Sequence, residues 1–275
     1  MRIIDNLLFH LSQPHLNIIK TVYFNMRTLP LHIAIKFPIL IYGPVKFYYL
    51  KGKVEICANE IYRGMIKFGR NNEFFNGVDK SAFILLEENS KLIFEGPCAI
   101  ANNYKLRIAR NGVLQLGAYT FFGSSIRFVC TTHISIGKYT RCAYESQIID
   151  TNSHFVLNEK NGCVAHRRGE IVIGEYNWIG NRTTFNKGAN TKDYTIVCAG
   201  SMVNKDFVQR EETHMMIGGC PAKIITDGLR RIFSISIEKQ IVKYFEEHPQ
   251  DKSYKIGKIT DEDMSDIIYW FKNVM

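Results

Sequence analysis

The sequence predicts an all-β core, a parallel β-helix of hexapeptide repeats, with an N-terminal capping segment and C-terminal helices. The main observation is a period of six residues, because from Ile173 the chain reads IGEYNW, IGNRTT, FNKGAN, TKDYTI, VCAGSM and VNKDF. The first position of each hexad is apolar except for one threonine: Ile173, Ile179, Phe185, Thr191, Val197 and Val203. The fifth positions hold small or short polar residues: Asn177, Thr183, Ala189, Thr195 and Ser201.

An earlier run with the same spacing begins at Leu116 and reads LGAYTF, FGSSIR and FVCTTH. Ile134 and Ser135 break the frame, which resumes at Ile136 with IGKYTR, CAYESQ and IIDTNS. A weaker version begins at Phe94. The repeat therefore occupies most of the middle of the chain.

A period of six matches neither the 3.6-residue turn of a helix nor the alternation of a flat strand. It fits a coil with three short sides, in which the large first residue points inward and the small fifth residue lies near a corner. One coil cannot bury its own inner face, so several coils must stack into a continuous core. Chance spacing in an all-β sandwich is the alternative, and consecutive in-frame hexads argue against it.

The composition is that of an ordinary globular protein. Of 275 residues, 46% are hydrophobic and 22% are charged, which excludes a mostly disordered chain, a coiled coil and a collagen-like rod. The formal net charge of +9 suits an anionic partner, such as a nucleotide cofactor, an acidic glycan or lipid head groups.

The cysteines indicate a reducing compartment. Their number, seven, is odd, and no two form a CxxC pair. We therefore expect free thiols in a cytoplasmic protein and no metal site, since no ligand cluster has the spacing that zinc requires.

Residues 1–65 are predicted to be an extended N-terminal capping segment. The first 56 residues carry seven basic side chains against two acidic ones, with a short helix expected over Asp5–Ile19 despite Pro14. Neither a signal peptide nor a membrane-spanning helix is expected. Two interpretations stay open: the segment covers the open end of the coil, or its basic, aromatic surface lies on an anionic membrane.

Residues 66–227 are the predicted β-helix domain, and residues 228–275 are the predicted C-terminal helical segment. Apolar residues recur at near-helical spacing from Leu229 to Tyr244, and a second helix is expected to begin near Thr260, where acidic residues suit a helix N-terminus. Eight basic and eight acidic side chains in this segment argue against a nucleic-acid-binding arm. We expect it to pack on the coil or on a neighbouring subunit.

The hexads and the later GGCPAKII, from Gly218, resemble the hexapeptide-repeat acyltransferases, above all the bacterial O-acetyltransferases of capsule and lipopolysaccharide biosynthesis. The resemblance implies a left-handed parallel β-helix, an exception to the usual right-handed crossover. It also implies a homotrimer that binds acetyl-CoA in the groove between adjacent subunits. The implied reaction is direct transfer of an acetyl group to a sugar hydroxyl of a surface polysaccharide or its precursor.

A catalytic base is predicted beside residues 155–170, a long stretch without the six-residue pattern, because long loops in repeat proteins are often functional. His154 directly precedes it, and the resemblance identifies a His in a D-x-x-x-H context as the general base, here with Asp150. A neutral imidazole can take the proton of a sugar hydroxyl as it attacks a thioester. Asp150 is expected to orient the imidazole.

The resemblance implies binding residues as well: Trp178 is expected to border the acceptor cleft, with Asn177 beside the substrate. Arg167 is a candidate through its charge, which could pair with an acidic sugar or with a phosphate of the cofactor, or could simply be solvated in the loop. For acetyl-CoA the expected residues are Gly180, Ala199, Gly200, Ser201, Gly219, Pro221 and Lys223.

Two other functions remain open at this point. An amino-sugar N-acetyltransferase would use the same motifs, because an amine is the better nucleophile and the motif residues barely discriminate the two. A noncatalytic β-helix that binds glycan or scaffolds a biosynthetic complex would not depend on His154.

Overall fold

A computed structural model describes residues 14–70, 82–257 and 264–273 of the chain. Most of the helix expected over Asp5–Ile19, and the helix start expected near Thr260, lie outside these residues.

Three sheets form the sides of a β-helix, and the chain visits them in turn; their strands are parallel except for the last, β23, which is antiparallel to β22. The first sheet contains, in spatial order, β1 (Ile39–Ile41), β4 (Ile66–Phe68), β7 (Cys98–Ile100), β10 (Thr120–Phe122), β13 (Arg141–Cys142), β18 (Trp178–Ile179), β20 (Ile196–Val197), β22 (Met216–Gly219) and β23 (Ala222–Thr226). The second contains β2 (Val45–Leu50), β5 (Ala82–Leu86), β8 (Lys105–Ile108), β11 (Arg127–Cys130), β14 (Gln147–Ile149), β19 (Thr184–Asn186) and β21 (Met202–Val203). The third contains β3 (Lys53–Ile56), β6 (Lys91–Phe94), β9 (Val113–Leu116), β12 (His133–Ile136) and β17 (Ile171–Ile173).

The predicted parallel β-helix is confirmed, and the hexads define its interior. Ile179 pairs in register with Val197, three hexads later, which is one full circuit of three sides. All six first positions from Ile173 to Val203 are buried, Thr191 included, and so are all five of the fifth positions. The spacing of six thus reflects one inward apolar residue on each side of the coil.

The coil begins earlier than predicted. β1, β2 and β3 pair in parallel with β4, β5 and β6, so residues from Ile39 onward already belong to the β-helix. The expected boundary between residues 65 and 66 is therefore corrected to a position before Ile39. Turns at Gly43–Pro44 and Lys51–Gly52 change the spacing of the inward residues, which hides the repeat there.

Two helices, α1 (Ile18–Thr28) and α2 (Leu31–Ala34), lie at the N-terminal end of the coil. The side chain of Asn25 donates to the carbonyl of Ile39 at 2.7 Å and accepts from its N–H at 3.3 Å. The hydroxyl of Thr21 accepts from the N–H of Ile41 at 3.0 Å. Polar side chains of α1 thus pair with backbone groups of β1, the outermost strand of its sheet, which is the role of a cap.

The C-terminal helices pack on the coil. α3 (Ile235–Glu247) has Ser234 as its N-cap, with the Ser234 side chain accepting from Ile237 N–H. Residues 229–234 therefore precede the helix that was expected to include them. α4 (Ser265–Asn273) buries Ile267 and Phe271 in a cluster with Ala99 and Phe233. Nζ of Lys67 on β4 donates to the carbonyl of Phe271 at 3.2 Å, which ties α4 to the first sheet.

A column of stacked tyrosines runs along one corner of the coil. Tyr119, Tyr139, Tyr176 and Tyr194 occupy the fourth position of one hexad in each of four successive coils, with ring centroids 5.3, 4.9 and 4.6 Å apart. Each has a positive φ between 54° and 59°, a conformation uncommon for residues other than glycine. Phe233 and Phe271 contact this column edge-on, so the tyrosines form the surface on which the C-terminal segment packs.

The loop between β14 and β17 is a projecting hairpin. β15 (Leu157–Asn158) pairs with β16 (Cys163–Val164) in antiparallel orientation. Its stem is closed by an antiparallel bridge between Thr151 and Arg168 and by Asn152 N–H donating to Arg167 O at 2.9 Å. The stretch without hexads therefore leaves the coil at the corner between the second and third sheets and returns there.

Candidate active site

His154 lies at the base of this hairpin and is exposed. Its backbone N–H donates to the carbonyl of Asn152 at 2.7 Å, which makes a tight turn directly after the stem. No described residue hydrogen-bonds to its imidazole, so both ring nitrogens are open to a ligand. This is the placement that the sequence predicts for a base between coil surface and loop.

Asp150 is fully buried and does not contact His154 through any hydrogen bond. Its carboxylate accepts from the backbone N–H and the hydroxyl groups of Thr131 and Thr132, at 2.7 to 2.9 Å. Both threonines lie at the same corner of the preceding coil. The expectation that Asp150 orients the imidazole is therefore corrected: Asp150 fixes the corner from which the hairpin projects.

Trp178 projects outward from the first sheet, with 43% of its surface exposed. It lines a pocket of about 380 Å³ between this sheet and the C-terminal segment. Arg141 and Phe121 line the same pocket, because both are register neighbours along the column that contains Trp178. Arg231, Phe233 and Trp270 of the C-terminal segment form its other wall.

Asn177 is buried inside the coil and is not available to a substrate. Its side-chain amide donates to the carbonyls of Glu175 and Lys192 at 3.0 and 2.8 Å, and its oxygen accepts from the Thr191 hydroxyl at 2.9 Å. The expected role of Asn177 in substrate binding is therefore corrected to a structural one. The fifth hexad position points toward the corner, and a side chain there satisfies backbone groups of the next coil.

Arg167 is in the hairpin stem, near His154. Its guanidinium donates to the carbonyl of Ser153 at 3.3 Å and lies 5.1 Å from the ring centroid of Phe155. This side chain is half-buried and lies beside the predicted base.

The residues expected to hold acetyl-CoA lie in two places. Ala199 and Gly200 are exposed at the corner between the first and second sheets, and a Cβ on Gly200 would meet no atom within 4 Å. Gly219, Pro221 and Lys223 are exposed in the hairpin formed by β22 and β23. An extended ligand can approach the backbone closely at such positions.

Two members of that set have structural roles. A Cβ on Gly180 would lie 2.5 Å from the backbone nitrogen of Ala199, so stacking of the coils alone requires glycine there. Ser201 is buried, donates to the carbonyl of Cys198 at 2.6 Å and accepts from Gly219 N–H at 3.2 Å. Ser201 therefore fixes the hairpin that carries Gly219, and its hydroxyl is not free for a ligand.

His154 and Trp178 do not meet within one chain. His154 lies at the corner between the second and third sheets, whereas Trp178 lies on the outer surface of the first sheet, the side opposite that corner. A site that uses both needs two copies of the chain, with the corner of one against the face of the other.

Sequence reasoning missed Arg141. The signal that could have found it is the sixth hexad position, which holds Phe121, Arg141 and Trp178 in LGAYTF, IGKYTR and IGEYNW. Residues at one hexad position stack above each other, so an arginine at the position of Trp178 had to lie beside it.

No family model matches the chain, and no curated protein matches it. Among solved structures, it is similar to the polySia-specific acetyltransferase NeuO, with 18% identity, 76% of this chain and 98% of that chain covered, and a TM-score of 0.45. It is also similar to the polysialic acid O-acetyltransferase OatWY, with 19% identity, 74% and 95% covered, and a TM-score of 0.41. A third similar structure is that of the N-acyltransferase AntD from Bacillus cereus, with 12% identity, 75% of this chain and 89% of that chain covered, and a TM-score of 0.37. At these values none of the likenesses establishes an activity for this chain.

Asp150→Asn is expected to destabilise the protein by about 2–4 kcal/mol, because the new amide group would face N–H donors in a buried site. Chemical denaturation measures this free energy of unfolding. The matched control is Asp193→Asn, whose exposed carboxylate accepts one backbone N–H, from Glu175 at 2.7 Å, and which should cost less than about 1 kcal/mol. An unchanged unfolding free energy together with a lower kcat would instead place Asp150 with the imidazole.

Proposed function

We propose that this protein is an acetyl-CoA-dependent O-acetyltransferase that acts on a sugar hydroxyl of a bacterial surface polysaccharide or its precursor. The observation that carries the proposal is the placement of His154 at the base of a hairpin that interrupts a hexapeptide β-helix. This histidine is exposed, and no described residue hydrogen-bonds to its imidazole. Of the similar solved structures, NeuO is a polySia-specific acetyltransferase and OatWY a polysialic acid O-acetyltransferase, and the proposed reaction belongs to the same class.

His154 acts as the general base in this proposal. Its neutral imidazole takes the proton of the sugar hydroxyl while the oxygen attacks the thioester carbonyl of acetyl-CoA. The resulting imidazolium returns the proton to the sulfur of the leaving CoA thiolate, so no covalent enzyme intermediate and no metal enter the step. A positioned base of this kind contributes on the order of 10²- to 10⁴-fold in rate.

Acetyl-CoA would lie along the exposed corner formed by Ala199 and Gly200, with Gly219, Pro221 and Lys223 near its far end. The small residues leave the strand backbone accessible to an extended arm. The Nζ cation of Lys223 suits a phosphate group.

The active site would lie between subunits of a homotrimer. His154 projects from a corner of the coil and Trp178 from the opposite face, so neighbouring copies can bring the two together. Closed cyclic symmetry makes three equal sites in this way.

An N-acetyltransferase acting on an amino sugar is the alternative within the same chemistry. It would need His154 less, because an amine attacks a thioester without a strong base. A noncatalytic glycan-binding or scaffold protein is the alternative outside enzymes, and for it His154 would be a solvated turn residue.

His154→Ala is expected to lower kcat by about 10²- to 10⁴-fold with little change in acetyl-CoA affinity, because the base acts in the transition state. Release of CoA thiol in the presence of glycan acceptors measures the first quantity, and calorimetric titration with acetyl-CoA measures the second. His166→Ala, in the same hairpin, is the control and should keep wild-type turnover. Equal turnover in wild type and His154→Ala would remove the mechanism, and absence of acetyl-CoA binding would favour the scaffold.

Co-expression of His154→Ala and Trp178→Ala subunits tests the shared site. Each variant alone should be inactive or nearly so, whereas random mixed trimers should recover about a quarter of wild-type activity, since about a quarter of interfaces pair an intact His154 with an intact Trp178. Light scattering should give three times the chain mass of 31.7 kDa. A stable monomer, or mixtures as inactive as their parents, would contradict a site shared between subunits.

We also propose that the N-terminal end of the coil contacts an anionic membrane surface. The buried face of α1 includes the polar residues Thr21 and Asn25 beside Phe24, whereas most of its exposed side chains, Arg27 apart, are apolar. Ile18 and Ile19 on that exposed face are 67% and 80% exposed, and Leu31 and Ile35 beyond α1 are 69% and 58% exposed. Apolar exposure of this extent is typical of an interaction surface.

Charge supports lipid as the partner. Residues 14–53 hold six basic side chains and no aspartate or glutamate: Lys20, Arg27, Lys36, Lys46, Lys51 and Lys53. Apolar insertion and attraction to anionic head groups add together for an interfacial helix. None of the described helices is long and apolar enough to cross a membrane.

Ile18→Asp with Ile19→Asp is expected to abolish binding to vesicles of phosphatidylcholine and phosphatidylserine, because the exposed apolar face is lost. Vesicle flotation measures the bound fraction. Val242→Asp with Tyr269→Asp, on equally exposed apolar positions of α3 and α4, is the matched control and should bind as wild type does. Equal binding by all three proteins would contradict the proposal, and so would a change in oligomer mass caused only by the α1 variant.

A further inference from the structure

The pocket beside Trp178 contains an arginine whose charge has no carboxylate partner among the described residues. The guanidinium of Arg141 donates to the carbonyl of Tyr119 at 3.3 Å and lies 5.5 and 5.2 Å from the ring centroids of Trp270 and Phe271. An arginine has five N–H donors, and the described chain provides this single acceptor for them.

The surroundings of Arg141 make an unpaired cation costly. Burial, and then the positive charge of Arg231, lower the pKa of the Arg141 guanidinium below its usual value. Arg141 is partly buried, and a partly buried charge without a carboxylate partner is stabilised when an anionic ligand compensates it. The positive field here therefore favours an anion that enters from solvent.

A second arginine lines the same pocket. The guanidinium of Arg231 lies 5.7 Å from the ring centroid of Trp178 and 5.3 Å from that of Phe233. Glu238 on α3 also lines the pocket and is exposed, so the described charges that line it are two arginines and one carboxylate.

The pocket has the size and composition of a small-molecule site. Its volume is about 380 Å³, and its walls combine aromatic rings with a few charged groups, the usual mixture for ligand binding. A guanidinium binds carboxylate and phosphate groups through two parallel N–H bonds, whereas it gains little from a neutral sugar.

We propose that Arg141 is the centre of an oxyanion subsite, which binds a carboxylate or phosphate group carried by the acceptor sugar. We identify the ligand as the acceptor because of the acetyltransferase function proposed above and because Trp178 is near. The existence of the oxyanion subsite does not depend on that function. Arg141 would select acidic or phosphorylated sugars without touching the reacting atoms.

The two tryptophans of the chain, Trp178 and Trp270, both line this pocket, so intrinsic tryptophan fluorescence reports on it directly. We would titrate the wild-type protein, without acetyl-CoA, with glucuronate, glucose 1-phosphate and neutral glucose. A saturable change is expected with one or both of the anions and not with glucose. Saturation by glucuronate alone identifies a carboxylate ligand, and saturation by glucose 1-phosphate alone identifies a phosphate ligand.

Arg141→Gln should weaken binding of the anion at least about tenfold, which corresponds to about 1.4 kcal/mol of binding free energy. Arg141→Lys keeps the positive charge but loses the two parallel N–H donors of the guanidinium, so it should weaken binding less than Arg141→Gln does. It replaces Arg141→Gln in the test if that variant fails to fold. Arg127→Gln, an exposed arginine on β11, is the control and should bind as wild type does.

Three results would overturn the proposal: no response to either anion, an equal response to neutral glucose, or wild-type affinity in folded Arg141→Gln. An Arg141-dependent response to acetyl-CoA with none to the sugars would assign the pocket to a cofactor phosphate and overturn the acceptor assignment. The His154→Ala variant separates this proposal from the function above, because it should bind the anions as wild type does whether or not acetyl transfer is ever observed.

Discussion

Close contact between the backbones of successive coils is the constraint on which the rest of this structure depends. At Gly137 a Cβ atom would lie 2.5 Å from the backbone nitrogen of Glu175 in the next coil, so the corner closes only without a side chain. Contact at this distance allows no slippage between coils, and the strands pair in register along each of the three sheets. Residues at one hexad position are therefore brought above each other.

Two columns follow from this register, and they have different consequences. The fourth hexad position builds the tyrosine column, whose stacked rings hold the C-terminal segment through Phe233 and Phe271. The sixth position places Arg141 between Phe121 and Trp178 in register. The C-terminal segment, once held by the first column, covers the second one and turns an open face into a pocket.

The hexads made the fold predictable, because an inward residue on every side of a coil leaves a period that the sequence shows directly. Where the chain turns irregularly, as between β1 and β3, the period is lost and the start of the coil could not be located. The position of His154 at the base of a loop was predictable because it adjoins a stretch without hexads, whereas its role as a base stays a prediction. Asp150 and Asn177 were misassigned because sequence spacing does not say whether a polar side chain points into a corner, where it satisfies backbone groups, or outward to a ligand.

The closed stem of the hairpin has a consequence for how this chain can vary. The bridge between Thr151 and Arg168, with Gly169 N–H donating to Asp150 O at 3.0 Å, joins the two ends of the hairpin before the coil continues. Everything beyond the stem is outside the hydrogen-bonded ladders of the β-helix. Residues can thus be added, removed or exchanged at the hairpin tip without shifting the strands that follow, since loop tips of this kind tolerate insertion. The coil and the element that frames His154 can diversify independently, in length as well as in sequence.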